Sequence, residues 1–197
     1  MPGRACLAVH ARLVHPWVVV HKGTRGQPDH KVRACQDMSV GLNDLMPKAP
    51  AFSLPRVKDL RKWARAGSYF AQFDLSDGFW AVPIAEDSIQ YFGVRMPELR
   101  ADKGTAQKYG PVAAGILPGQ RHPDSGRLAL STRIPFGWQR SPELFAELTE
   151  AVAKRMREQY GMKILCYLDD FCIVSGDEDS CRRDMALFKH HVEEELG

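Results

Sequence analysis

The chain has 197 residues, enough for one ordinary domain or two small ones sharing a core, and its 44% hydrophobic and 26% charged content excludes disorder and fibrous repeats. Apolar runs such as Trp17-Val18-Val19-Val20 fall far short of the roughly 18 residues of a membrane span, no secretory signal core is present, and five cysteines without C-x-x-C spacing argue against a disulfide framework or zinc module. An intracellular chain without a membrane partner is expected, with cytoplasm and nucleus undistinguished. The net charge of +3 hides an asymmetry: residues 1–70 carry 12 Lys or Arg against 4 acids, and residues 71–197 carry 15 against 20. A basic first third suits a polyanion or a solvated face equally on charge alone.

In chain order, WVVVH (17–21) and KVRACQ (31–36) predict two strands joined by a turn-rich linker, a basic hairpin bearing Lys22, Arg25, Lys31 and Arg33. Pro55 opens a predicted helix with Val57, Leu60 and Ala64 on one face, closed by Gly67. YFAQFDLSDGFWAVPI reads as a strand running into a Ser-Asp-Gly turn. Residues 97–125, with eight Gly or Pro, read as an insertion or long surface loop. Ser141-Pro142-Glu143 is a helix start with a capping hydroxyl, and Phe145, Leu148, Val152 and Met156 mark its buried stripe. KILCYLDDFCIVS predicts a hydrophobic hairpin broken by two acids. A final helix from Asp177 to Leu196 carries Cys181, Met185, Phe188, Val192 and Leu196 on one face, and His190-His191 reads as solvated surface. The order of elements predicts an α+β fold with helices on one face of a small antiparallel sheet.

The carboxylates hold the chemical interest. Asp169-Asp170 interrupts an apolar hairpin, where two adjacent acids raise each other's pKa unless a cation compensates. Taken alone, an ordinary Asp-Asp turn accounts for the pair equally well. Asp74 ends an apolar strand, where an acid is costly unless paired or metal-bound. Two strands ending side by side would bring Asp74 and Asp169 together as oxygen ligands for Mg²⁺, and two such ions hold the attacking and leaving oxygens of a phosphoryl transfer. Asp77-Gly78 is turn chemistry whose backbone N–H groups suit phosphate oxygens.

In the order KVRACQD with Asn43 downstream, LPRVKDL, FAQFDLSDGFW, YFGV, IPFGWQRSP and YLDDFCIVS, these segments resemble the reverse transcriptase domain of retroelements, gypsy and DIRS retrotransposons most of all. The resemblance spans about residues 17–197. It implies a polymerase palm, a ferredoxin-like antiparallel sheet with helices on one face, over about 48–81 and 141–197. Fingers would occupy about 1–47 and 82–140, with the insertion 97–125 inside them.

By the same resemblance Asp74, Asp169 and Asp170 are the catalytic acids. Together with the Leu75 carbonyl they would hold two Mg²⁺ ions, with Mn²⁺ a possible substitute. Lys22 and Arg33 would neutralise the incoming triphosphate, although Arg25 or Lys31 could stand in for Lys22. Asp77 and Gly78 would meet the same phosphates through their backbone. Phe79 takes the position of a steric gate against a ribose 2′-OH, and Phe136 and Gly137 that of a loop packing on sugar and template base, though either Phe viewed alone reads more often as core. The implied partners are an RNA or DNA template with primer and dNTPs.

The implied reaction is RNA-directed DNA synthesis, adding dNTP to a primer 3′-OH. In the family a primer-gripping hairpin, thumb and often ribonuclease H follow the YLDD box. The sequence stops at Gly197, so the expectation is a polymerase region with the thumb absent, its missing parts supplied elsewhere. The alternative is a catalytically inactive retroelement remnant that only binds nucleic acid.

Overall fold

The computed structural model describes residues 5–7, 11–22, 31–76, 78–95 and 126–195. The expected insertion 97–125, Arg25 and Asp77 lie outside them. The chain divides into two compact units, Met1–Pro47 with Pro83–Trp138, and Lys48–Val82 with Gln139–Gly197. The architecture is mixed α+β, as the sequence predicts, and among the described residues no helix is long and apolar enough to cross a membrane.

The first unit contains β1 (Ala5–Leu7), β2 (Val14–His15), β3 (Trp17–Lys22), β4 (Lys31–Gln36) and the short helix α1 (Leu42–Leu45). β3 and β4 form the predicted antiparallel hairpin, in a register that sets Lys22 opposite Lys31 and Val20 opposite Arg33. Strand positions alternate between faces, so the Lys22, Lys31 and Arg33 positions fall on one face of the hairpin. Further along the chain, beyond β5 (Tyr69–Asp74) of the second unit, come β6 (Gly93–Arg95) and β7 (Leu128–Ser131). They join the first two strands in a mixed sheet of order β1-β7-β6-β2, with β2 parallel to β6. A small core of Met38, Leu42 and Phe92 packs with Trp138, whose ring meets Phe92 edge-on at 5.1 Å.

The second unit is built on β5 (Tyr69–Asp74), β8 (Ile164–Tyr167) and β9 (Asp170–Ser175), an antiparallel sheet of order β5-β9-β8. Its register pairs Phe73 with Phe171 and Ala71 with Ile173, while Cys166 pairs with Phe171, so the apolar side chains share one face. That face is covered by two long helices. The α2 helix is the short Gly78–Ala81, α3 is Ser141–Tyr160 and α4 is Glu178–Glu195. Ala153 and Met156 of α3 and Cys181 and Phe188 of α4 enter the core. Phe188 lies against both Phe73 and Phe171, with ring centroids 4.9 and 4.8 Å away.

Five local expectations are corrected. Residues 57–62 form a 3-10 helix, not an α-helix, and none of them is buried. The carboxylate of Asp59 accepts the Arg56 backbone N–H at 2.8 Å, which fixes the tight first turn. The α3 helix begins at Ser141 itself, with Arg140 in the cap position and no side-chain capping bond, and its buried line runs through Phe145, Thr149, Ala153 and Met156, leaving Leu148 and Val152 half-buried. Thr149 is tolerated inside because its hydroxyl donates to the Phe145 carbonyl at 2.9 Å. On α4, Met185 is exposed, whereas His191 is buried with its ring 6.3 Å from that of Tyr160.

Candidate active site

The site assembles where two strands of the second unit end together. Asp74, the last residue of β5, is the direct register partner of Asp170, the first residue of β9. One residue further, the Leu75 backbone N–H donates to the Asp169 carbonyl at 3.0 Å. Three acids from two separate stretches of chain are therefore rooted on adjoining backbone, as the sequence predicts. The strand alternation that sends Ala71, Phe73, Phe171 and Ile173 into the core sends Gln72, Asp74 and Asp170 to the opposite, open face. Asp74 and Asp170 are exposed and Asp169 is half-buried.

Asp169 occupies the two-residue turn Leu168-Asp169 between β8 and β9. Leu168 has φ +55°, a left-handed conformation uncommon for a branched side chain. Cys166 steadies it: its thiol donates to the Leu168 carbonyl at 3.2 Å. Burial pushes that thiol up to about 11, above its ordinary 9.0, so it stays protonated and can serve as donor at neutral pH. Gln72, two residues before Asp74, donates its side-chain amide to Asp170 at 3.3 Å. Neither supporting contact was read from the sequence, although the two-residue spacing of Gln72 from Asp74 is a signal for a shared face.

Among the described residues no three His, Cys, Asp or Glu side chains stand close enough to enclose a metal ion. Mg²⁺ needs no such cage, because it is commonly held by one or two carboxylates and completes its shell with water and substrate phosphates. The donors at this corner, three carboxylates and the Leu75 carbonyl, are all oxygen, which suits Mg²⁺ and Mn²⁺. The residues present fit a hard divalent ion.

The remaining candidates divide between the units. Gly78 begins α2 and is buried, packed so tightly on α3 that a Cβ there would lie 2.6 Å from the Phe145 ring. Phe79 follows it, half-buried, with its ring edge-on to Phe145 at 5.2 Å. Phe136 and Gly137 lie in the first unit, in a turn tied to the end of β4. The Gln36 N–H donates to the Phe136 carbonyl at 2.8 Å, and the Asn43 amide donates to the Gly137 carbonyl at 3.0 Å. Lys22 and Arg33 are in the same unit, at the hairpin register positions given above.

With this arrangement in view, the model of the family described as reverse transcriptase (RNA-dependent DNA polymerase) matches residues 22–196. The chain belongs to the reverse transcriptase family. Its members are nucleotidyltransferases that copy RNA into DNA and generally use divalent metal ions. Among solved structures, this reverse transcriptase region is similar to the foamy viral protease-reverse transcriptase in complex with double-stranded DNA, at 22% identity and a TM-score of 0.65, covering 97% of this chain and 32% of that one. A second structure of the foamy viral protein, the dRH form with double-stranded DNA, gives 22% identity and a TM-score of 0.62 over 94% of this chain and 25% of that one. At this identity the likeness carries the fold, and the chain spans only a quarter to a third of those structures. No curated protein matches the chain.

Proposed function

We propose that the chain is the catalytic region of a retrotransposon RNA-directed DNA polymerase, with the first unit as fingers and the second as palm. It would act on a primer annealed to an RNA or DNA template, with dNTPs as substrates. The observation that carries this reading is the Asp74–Asp170 register pair beside the Leu75–Asp169 backbone bond, which roots the three acids on adjoining backbone.

In this reading Asp74 and Asp169, with the Leu75 carbonyl, hold two Mg²⁺ ions, and Asp170 stands beside them, oriented by Gln72. When bound, such ions neutralise phosphate charge and favour the attacking 3′-oxygen. The protein's own task is positioning. Lys22 and Arg33 supply cations for the triphosphate, and the backbone of Asp77 and Gly78 offers N–H donors to the same phosphates. Phe79, held edge-on by Phe145, is a rigid ring suited to excluding a 2′-OH. Phe136 and Gly137 form a surface for the nascent pair, held in place by Gln36 and Asn43.

The test is primer extension by this chain joined to the thumb of a related polymerase, with Asp74→Asn and Asp169→Asn beside it. Each substitution is expected to lower incorporation at least about a hundredfold, the scale for losing an electrostatic stabiliser of the transition state. Incorporation that survives Asp169→Asn would refute the assignment. Salt-dependent nucleic-acid binding with no incorporation by the parent would favour the binding-only remnant.

A further inference from the structure

Residues 48–66 carry six Lys or Arg and a single acid, Asp59. That acid is engaged by its own helix, accepting the Arg56 N–H. Arg56, Lys58, Arg61, Lys62 and Arg65 are all exposed, and among the described residues none of the five is in an ion pair. The 3-10 geometry sharpens the pattern. With three residues per turn and a rise of about 2 Å, Lys58 and Arg61 eclipse one another about 6 Å apart, while Leu60 and Trp63 turn inward and are half-buried. Arg65 is steadied by bonds from its guanidinium to the carbonyls of Arg61 and Ala64, at 2.9 and 2.7 Å. The product is an ordered cationic ridge whose self-repulsion a bound polyanion relieves.

An independent feature adjoins it. A shallow groove of about 170 Å³ on the open face of the same sheet is lined by Arg56, Val57, Leu60, Gln72 and Tyr167 and reaches Asp170. Tyr167 is 53% exposed, and Phe70, on the same face of β5 as Gln72, is 54% exposed. Cations beside free aromatic faces suit unpaired nucleic acid, since the cations track phosphates while bases stack on rings. An acidic protein would use the cations and leave the rings idle, and a paired duplex offers few open base faces.

We propose that the Arg56–Arg65 ridge and its groove bind a single-stranded polynucleotide and lead it across the second unit to the Asp170 corner. The polymerase reading supplies the strand's destination, whereas the binding itself requires no chemistry.

The experiment is fluorescence anisotropy of the full chain with a short oligothymidylate in EDTA, through a salt series. Lys58→Gln/Arg61→Gln/Arg65→Gln is expected to reduce the slope of log affinity against log salt by about 2, at about 0.7 per cation on a single strand. Lys58→Gln/Arg61→Gln, which spares the Arg65 bonds, should reduce it by about 1.4 with the circular dichroism spectrum unchanged. Tyr167→Ala should weaken binding about tenfold and leave the slope intact, because stacking releases no counterions. An unchanged slope in a folded ridge variant would overturn the proposal. So would equal competition by polyglutamate at matched charge. If primer extension fails while ridge-dependent binding persists, the polymerase reading falls and this one stands.

Discussion

Gly137 approaches Gln36 so closely that a Cβ at position 137 would lie 1.8 Å from the Gln36 carbonyl oxygen, and its φ is +109°. The obstacle is backbone already committed to the β4 hairpin, so it has little freedom to retreat. Gly137→Ala is therefore expected to destabilise the chain by about 3–5 kcal/mol, combining backbone strain with overpacking. Gly67 is the control, because its φ is +83° but nothing stands within 4 Å. Gly67→Ala should cost only about 1–2 kcal/mol. Urea denaturation of the two variants separates close approach from conformational strain, and equal costs would show that the Gln36 carbonyl gives way.

Asp74 and Asp170 set two carboxylates opposite each other on one rung. Like charges directly opposite destabilise a sheet by a fraction of a kcal/mol. Asp170→Asn should therefore raise the Tm in EDTA by about 1–2 °C. Excess Mg²⁺ should stabilise the parent through preferential binding to the folded chain and stabilise the variant less. Thermal melts with and without the ion check both signs, and a variant that is less stable in EDTA would contradict the repulsion.

Asp177 precedes α4 and accepts the Ser180 N–H and hydroxyl, both at 2.8 Å. The backbone bond foremost, then the hydroxyl bond, hold its carboxyl below the ordinary 3.8. A carboxyl depressed by folding contributes stability that is complete above the unfolded value and is lost as pH falls through the folded one. Asn caps about as well as Asp. Asp177→Asn should thus match the parent near neutrality and lose less stability as pH drops below about 4. Urea midpoints across that range give the answer, and parallel curves would show that the capping bonds do not bias titration.

The rung of acids was legible in the sequence because each acid closes a run whose alternation fixes its face: Ala71 and Phe73 inward before Asp74, Phe171 and Ile173 inward after Asp170. The 3-10 helix was not. Val57 and Leu60 fit either a three-residue turn or an α-turn, and the choice is made by the Asp59–Arg56 bond and by the 84% exposure of Val57. His191 was misread because the inward line of α4 includes both Phe188 and the position three residues on, leaving only His190 outside. The mixed sheet of the first unit was hidden because its strands are two to four residues long, too short to display a period. Its parallel β2–β6 contact joins segments nearly eighty residues apart, and no local pattern records that.

Leu168 turns the β8–β9 hairpin with φ +55° while Asp169 does not share a positive φ, the pattern of a II′ turn, in which glycine is the usual first residue. Its half-buried side chain lines a cavity with Thr149, Leu165 and Cys166, so packing offsets backbone strain. Leu168→Ala loses the packing and keeps the strain, and should cost about 1–2 kcal/mol, below the range for a fully buried leucine. Leu168→Gly loses the same packing but releases strain of about 1–2 kcal/mol, which outweighs the roughly 0.5–1 kcal/mol entropic penalty of glycine. Glycine should therefore be the more stable of the two, the reverse of their order in an ordinary strand. The same release loosens the turn that aims Asp169, so Leu168→Gly should bind Mn²⁺ more weakly than Leu168→Ala despite its greater stability. Urea denaturation and metal titration followed by electron paramagnetic resonance measure the two quantities separately. If alanine is the more stable variant, the leucine at 168 is not strained. If both variants bind the ion equally, the handedness of the turn does not aim the carboxylate.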